Sequence, residues 1–152
     1  MLALDHTAIA VRDLHAALRL YRDLLGGVPR EYDDMPHKGF RWLQLEYPNG
    51  SRVELLTPLG TSGFLHTFLE KRGEGVHHMT YLVADLRQAV ARARAAGLRI
   101  VDEDYSDSEW QEAFISPRSA HGTIVQLAQS SLAKAERVAR WNTHHCPELA
   151  GD

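Results

Sequence analysis

The sequence predicts an α+β fold: two tandem βαβββ modules whose strands form one curved, cup-shaped mixed sheet. Two observations carry this. The chain matches itself at a fixed offset of 72 residues, and each half reads strand, helix, then three strands. In the self-match His6 falls on His78, Val11 on Val83, Asp13 on Asp85, Leu14 on Leu86 and Ala17 on Ala89. The same offset, without a gap, carries Val53-Glu54-Leu55 onto Val125-Gln126-Leu127. A period of this length occurring twice is no solenoid, and two modules side by side are its natural reading.

The elements follow in order. Residues 4–11 are a short apolar run that suits a strand. Asp13 is placed to cap a helix, and Leu14, Ala17, Leu18, Tyr21, Leu24 and Leu25 then recur at helical spacing until Gly26-Gly27 ends it. Residues 28–34 read as a strand with little alternation, and 40–47 as a clearer one. Pro48-Asn49-Gly50 supplies the positive φ of a hairpin turn into a return strand over 52–57. A linker over 58–63 and a short helix over 64–71 join the halves. The second half repeats the plan with a strand over 76–83 and a helix capped by Asp85. That helix carries Leu86, Ala89, Val90, Ala93 and Ala96 on one face and stops at Gly97. Strands over 98–102, 113–116 and 123–128 complete it, with 117–122 as the hairpin loop. The domain thus spans 1–131, from modules 1–60 and 72–131, and 132–152 is a C-terminal helix (132–141) and tail.

With 152 residues the chain can bury a sizeable core, and 44% hydrophobic and 24% charged residues are ordinary for a globular protein. A net charge of -3 with scattered Lys and Arg argues against nucleic acid as a partner. The sequence holds no apolar run long enough for a membrane span, and its N-terminus lacks the pattern of a signal peptide. One cysteine, Cys146, precludes an intrachain disulfide. A cytoplasmic location is expected, and Cys146 is expected to be a free thiol in a mobile tail rather than a nucleophile.

The duplication places one metal-capable side chain in each of four strands: His6, Glu54, His78 and Gln126. Two imidazoles, a carboxylate and an amide meeting at a pseudo-twofold axis would form a divalent-metal site. On the first strand His6 shares its face with Ala8 and Ala10, which leaves room beside it, and His78, Thr80 and Leu82 repeat the arrangement. A buried Glu54 needs a partner, which a cation or Arg52 could supply. The competing reading is that duplication keeps His for structural reasons and that Gln126 is a satisfied strand amide. His77 has Asp5 as its counterpart and falls on the opposite face by alternation. His15, His37, His66, His144 and His145 lie in helices, loops or tail and are expected to be exposed, whereas His121 could reach the mouth of the cup.

The runs 4–11 and 53–59, and above all Phe68-Leu69-Glu70-Lys71-Arg72-Gly73-Glu74-Gly75-Val76-His77-His78, resemble the vicinal oxygen chelate superfamily, also called the glyoxalase/bleomycin-resistance/dioxygenase fold. Within it the chain is similar to methylmalonyl-CoA epimerases, from residue 4 to about 129. The resemblance implies one divalent ion (Co, Ni, Zn, Mn or Fe) held by His6, Glu54, His78 and Gln126. It also implies a homodimer and a small-molecule substrate such as an acyl-CoA thioester or a 2-oxo compound. The fourth family position is normally Glu, and here it is Gln126. An amide can ligate through oxygen but cannot take a proton at neutral pH.

The reaction class implied is proton abstraction next to a carbonyl, with Glu54 as the general base. Epimerisation asks for a second proton carrier, such as a bound water, Glu46 or Glu112. A glyoxalase-type lyase could work with one base. His6, His78 and Glu54 alone would suit an Fe(II) dioxygenase, and a metal-free drug-binding protein is the non-enzymatic alternative. No phosphate loop marks a CoA site.

Overall fold

A computed structural model describes residues 3–133, 136 and 146–149. The strands are β1 (Ala3–Ala10), β2 (Val28–Met35), β3 (Phe40–Glu46), β4 (Arg52–Pro58), β5 (Gly75–Leu82), β6 (Ile100–Asp104), β7 (Trp110–Ile115) and β8 (Ile124–Ser130). The helices are α1 (Leu14–Leu18), α2 (Phe64–Arg72) and α3 (Leu86–Ala95). The strands make one mixed sheet in the order β2-β3-β4-β1-β5-β8-β7-β6, the α+β fold expected from the duplication. The helix expected over 132–141 lies largely outside the described residues.

The chain divides into two compact units, and β1 is shared between them at Thr7 and Ala8. One unit holds the start of β1, β5 to β8 and α3. Its core is Val83, Leu86, Val90 and Ala113, packed by Ile100, Tyr105 and Leu127. Asp85 caps α3 by accepting from the Gln88 amide at 2.9 Å, as expected. β8 runs parallel to β5, with Thr80 beside Gln126, and antiparallel to β7, with Phe114 beside Gln126 and Glu112 beside Ala128.

The second unit holds the rest of β1, β2 to β4, α1 and α2. Val11, Leu14, Leu18, Leu43, Leu45 and Leu55 form the core on one side of its strands, and Ala8, Ala10, Leu56, Leu65 and Leu69 a second cluster. Each of these leucines stabilises the fold by about 1.5–3 kcal/mol relative to an exposed side chain. Asp13 caps α1 through the Ala16 amide at 3.1 Å. β2 has little apolar alternation and is held by charge instead. The Arg41 guanidinium meets both Asp34 oxygens at 2.6 and 2.9 Å, and the Tyr32 hydroxyl donates to Asp34 at 2.7 Å. Arg41 also reaches Glu148 at 2.5 Å.

Three elements depart from expectation. The first helix is α-helical only to Leu18, and Arg19–Leu24 continue as a π-helix. Its wider turn, seen in the Leu25 amide donating to the Leu20 carbonyl five residues back, rotates the apolar positions off the core, so Leu24 and Leu25 face solvent. Gly27 then passes so close to Tyr21 that a β-carbon would sit 2.6 Å from its carbonyl oxygen. β7 begins three residues earlier than expected, which puts Trp110 and Glu112 in the sheet. Cys146 is buried in the core of the second unit rather than free in a tail, and burial pushes its thiol pKa up to about 11.

Candidate metal centre

Both faces of β1 and β5 are buried where the histidines stand, so Asp5, His6, His77 and His78 all lie inside. The His6 and His78 rings meet edge to face with centroids 5.7 Å apart. The His6 Nδ1–H donates to the Asp5 carboxylate at 2.9 Å, and its Nε2 lies 3.0 Å from the Thr80 hydroxyl. Thr80 is fully buried, and its hydroxyl donates to Oε1 of Gln126, its neighbour across the parallel pair. The other end of the amide, Nε2, donates to Glu112 at 2.6 Å. Glu112 is itself held by the Trp110 indole N–H at 3.0 Å. His77 and His78 share a hydrogen bond between their Nδ1 atoms at 2.9 Å.

Proton counting in this cluster tests whether an ion fits. Asp5 and Glu112 can only accept, so they fix the protons of His6 on Nδ1 and of the amide on Nε2. His6 Nε2 and Gln126 Oε1 both lie against the buried Thr80 hydroxyl, and His78 also bonds to Gln126. Imidazole nitrogens and an amide oxygen brought together in this way are ligand types that suit a borderline divalent cation. Burial, reinforced by the neighbouring His6 and His77 rings, holds the His78 pKa well below the usual histidine range, and a hydrogen bond with Gln126 opposes this only in part. His78 is therefore neutral, the form that ligates a metal.

Glu54 is buried on β4 of the second unit. Gln44, directly opposite on β3, donates its amide to Glu54 Oε2 at 2.9 Å, while Arg52 reaches the other end of that amide at 3.3 Å. Gln44 thus stands between Arg52 and Glu54, the pair that competed with the metal reading. His6 and His78 in the first unit and Glu54 in the second are each buried and each of a type that can ligate a metal ion.

The contacts of Thr80, Asp5 and Gln44 came only with the structure, although Thr80 shares the His78 face by simple alternation, and Glu112, one of the proton carriers considered from the sequence, is the one found beside Gln126. His77 touches His78 rather than pointing away from it. His15, His37 and His121 are exposed, and His121 carries a positive φ of 55°. His66 is half-buried rather than exposed, and His144 and His145 lie outside the described residues.

The family model of the glyoxalase/bleomycin resistance protein/dioxygenase superfamily matches residues 5–114. The ethylmalonyl-CoA/methylmalonyl-CoA epimerase of Cereibacter sphaeroides is 35% identical over 130 residues, covering 83% of this chain and 96% of its own. The structure of methylmalonyl-CoA epimerase from Mycobacterium tuberculosis aligns with a TM-score of 0.75 and 31% identity, over 87% of this chain and 94% of that one. A variant of the Streptomyces coelicolor methylmalonyl-CoA epimerase, in complex with 2-nitronate-propionyl-CoA, aligns with a TM-score of 0.75 and 29% identity, over 87% of this chain and 99% of that one. The chain belongs to the glyoxalase/bleomycin resistance protein/dioxygenase superfamily, and within it is a methylmalonyl-CoA epimerase-like enzyme.

Proposed function

We propose that this chain inverts the α-carbon of a 2-substituted malonyl-CoA thioester of the methylmalonyl-CoA kind, with a divalent ion held by His6, Glu54, His78 and Gln126. The observation that carries the reading is the meeting of His6 Nε2 and Gln126 Oε1 at the buried Thr80 hydroxyl beside His78. When bound, the ion would act as a Lewis acid toward the thioester carbonyl and stabilise an enolate. Relatives named as epimerases, one of them bound to a propionyl-CoA nitronate, support an acyl-CoA over a 2-oxo substrate.

The chain's own residues supply the proton traffic. Glu54 takes the α-proton; the C–H electron pair passes into the thioester carbonyl, and the carbanion returns as C–H on its other face. Gln126 cannot serve that second face, because an amide holds no transferable proton at neutral pH. Glu112, hydrogen-bonded to Gln126 and to Trp110, is proposed to deliver that proton in its carboxylic-acid form, reloaded from solvent after each turnover, while Glu54 returns the abstracted proton to solvent. Thr80 and Asp5 orient the groups and exchange no proton with substrate. Incubating one epimer of methylmalonyl-CoA with the protein and following the other by chiral assay tests this. Conversion dependent on added Co, Ni, Zn, Mn or Fe supports it. Oxygen uptake, isomerisation of a thiol–2-oxoaldehyde hemithioacetal to a 2-hydroxyacyl thioester, or metal-independent ligand capture would instead favour the dioxygenase, lyase or binding-protein alternatives.

The same reading includes a homodimer in the cytoplasm. β2 is an edge strand, and Val28 on it and Leu20, Leu24 and Leu25 before it are exposed, an apolar surface that a second copy would cover. No described helix is long and apolar enough to cross a membrane. Light scattering checks the dimer: a Leu24→Lys monomer from a wild-type dimer supports it, and a wild-type monomer contradicts it.

A further inference from the structure

One duplicated position has acquired the same job in both halves with different chemistry. Asp5 and His77 are equivalents at the offset of 72 residues, and each immediately precedes a histidine proposed as a ligand. Each also touches the same atom of its neighbour: Asp5 Oδ2 lies 2.9 Å from His6 Nδ1, and His77 Nδ1 lies 2.9 Å from His78 Nδ1. All four side chains are buried, so these contacts are made away from solvent competition. We infer that Asp5 and His77 are positioning residues that hold Nδ1 of His6 and His78 and thereby present Nε2 of each ring to the ion. The inference rests on the reading that His6 and His78 are ligands.

The physical argument is one of tautomers. A neutral imidazole has one N–H and one lone pair, and the partner of one nitrogen decides what the other offers. Asp5 can only accept, so it fixes the His6 proton on Nδ1 and leaves the Nε2 lone pair directed at the Thr80 side. His77 can accept or donate. For His78 to offer its Nε2 lone pair, its own Nδ1–H must donate to His77 Nδ1, and His77 must then carry its proton on Nε2. The two ligand rings therefore differ: one leans on an anion that makes it the more basic donor, the other on a neutral ring. Partners of this kind orient a ligating imidazole and raise its basicity, and their loss costs about 10–100-fold in metal affinity. Backbone alternation hides the relation, because adjacent strand residues point to opposite faces. Here the two side chains turn toward each other around the strand.

The test compares His77→Leu with His77→Asn, whose side-chain oxygen can still accept at about the place of Nδ1. Affinity for Zn(II) or Co(II) is measured by chelator competition, and thermal stability is followed in parallel. The expected result is a loss of about 10–100-fold in His77→Leu and recovery of most of it in His77→Asn. Wild-type affinity in His77→Leu, or equal losses in both variants, overturns the role. On the metal-free protein, ¹⁵N shifts of His6 should report the Nδ1–H tautomer, and Asp5→Leu should release it. A His6 ring protonated on Nε2 in the wild type overturns the inference at that ring. Failure of the wild-type chain to bind any ion would overturn the proposed function instead, and the ¹⁵N measurement would still decide this inference.

Discussion

The strand pairs β3–β4 and β7–β8 correspond in the two halves, and each couples a buried amide to a carboxylate across neighbouring strands, but the two have changed places. In the first pair the carboxylate, Glu54, occupies the duplicated position proposed to ligate, and the amide, Gln44, stands on the neighbouring strand. In the second the amide, Gln126, has the proposed ligand position and the carboxylate, Glu112, the neighbouring strand. In both the amide N–H donates to the carboxylate, at 2.9 and 2.6 Å. The first couple is directly opposed in register. The second is diagonal, because Phe114 faces Gln126 and Glu112 lies one pleat further along. The exchange keeps one amide–carboxylate couple in each half while changing which member holds the proposed ligand position. A sequence that looks as if it has lost a carboxylate at position 126 has moved it two strand positions off register.

This comparison can be broken experimentally. The largest effect is expected from Glu54→Gln, which makes both ligand positions amides. Removing a positioned general base typically costs 10²–10⁴-fold, so α-proton exchange should fall by about that factor. A loss below tenfold would mean that Glu54 is only a ligand. His78→Ala should lower metal affinity by more than about 100-fold, since even an outer partner is worth about 10–100-fold. Equilibrium dialysis of the wild type and variant against the same ion checks it.

Gln126→Glu tests the exchange itself. It sets two carboxylates at hydrogen-bond distance in the metal-free protein, so the single variant should be less stable while binding the ion more tightly and turning over substrate more slowly. Adding Glu112→Gln restores the amide–carboxylate couple in the arrangement of the first half. Denaturant unfolding of the four-member cycle should give a coupling of about 0.5–3 kcal/mol. Additive changes would show that the two side chains act independently.

The smallest effect lies away from the site. Arg41, and secondarily Tyr32, hold the Asp34 pKa below its ordinary 3.8 against the opposing effect of burial. A carboxylate with a lowered folded pKa stabilises at pH above its unfolded value, and the contribution fades as pH falls through the folded value. The wild type should therefore outlast Asp34→Asn at neutral pH, with the gap closing below about pH 3.8. A gap that does not depend on pH would remove charge from the account of β2.

Most of the fold was legible because duplication is read directly from residue identities. The His6/His78 match, the two aspartate caps and the Pro48-Asn49-Gly50 turn all signal locally. The parts that were not legible depend on partners distant in sequence. The π-helical turn at Arg19–Leu24 leaves the helical spacing of leucines intact while rotating them outward. Trp110 and Glu112 sit in an acidic, serine-containing stretch that reads as loop until β8 pairs with it. Gln126 could be placed at the site from its register, but the carboxylate behind it, and the residues holding Nδ1 of each histidine, are set by contacts that no single strand pattern encodes.

The central claim is that an ion at these residues makes an α-proton exchangeable. The direct measurement is proton NMR of methylmalonyl-CoA in D₂O, with chelator-stripped protein and with the same protein reloaded with Co(II) or Zn(II). Exchange should be absent in the stripped sample and return with about one equivalent of ion. Equal exchange in both samples, or none with any divalent metal, would contradict the account.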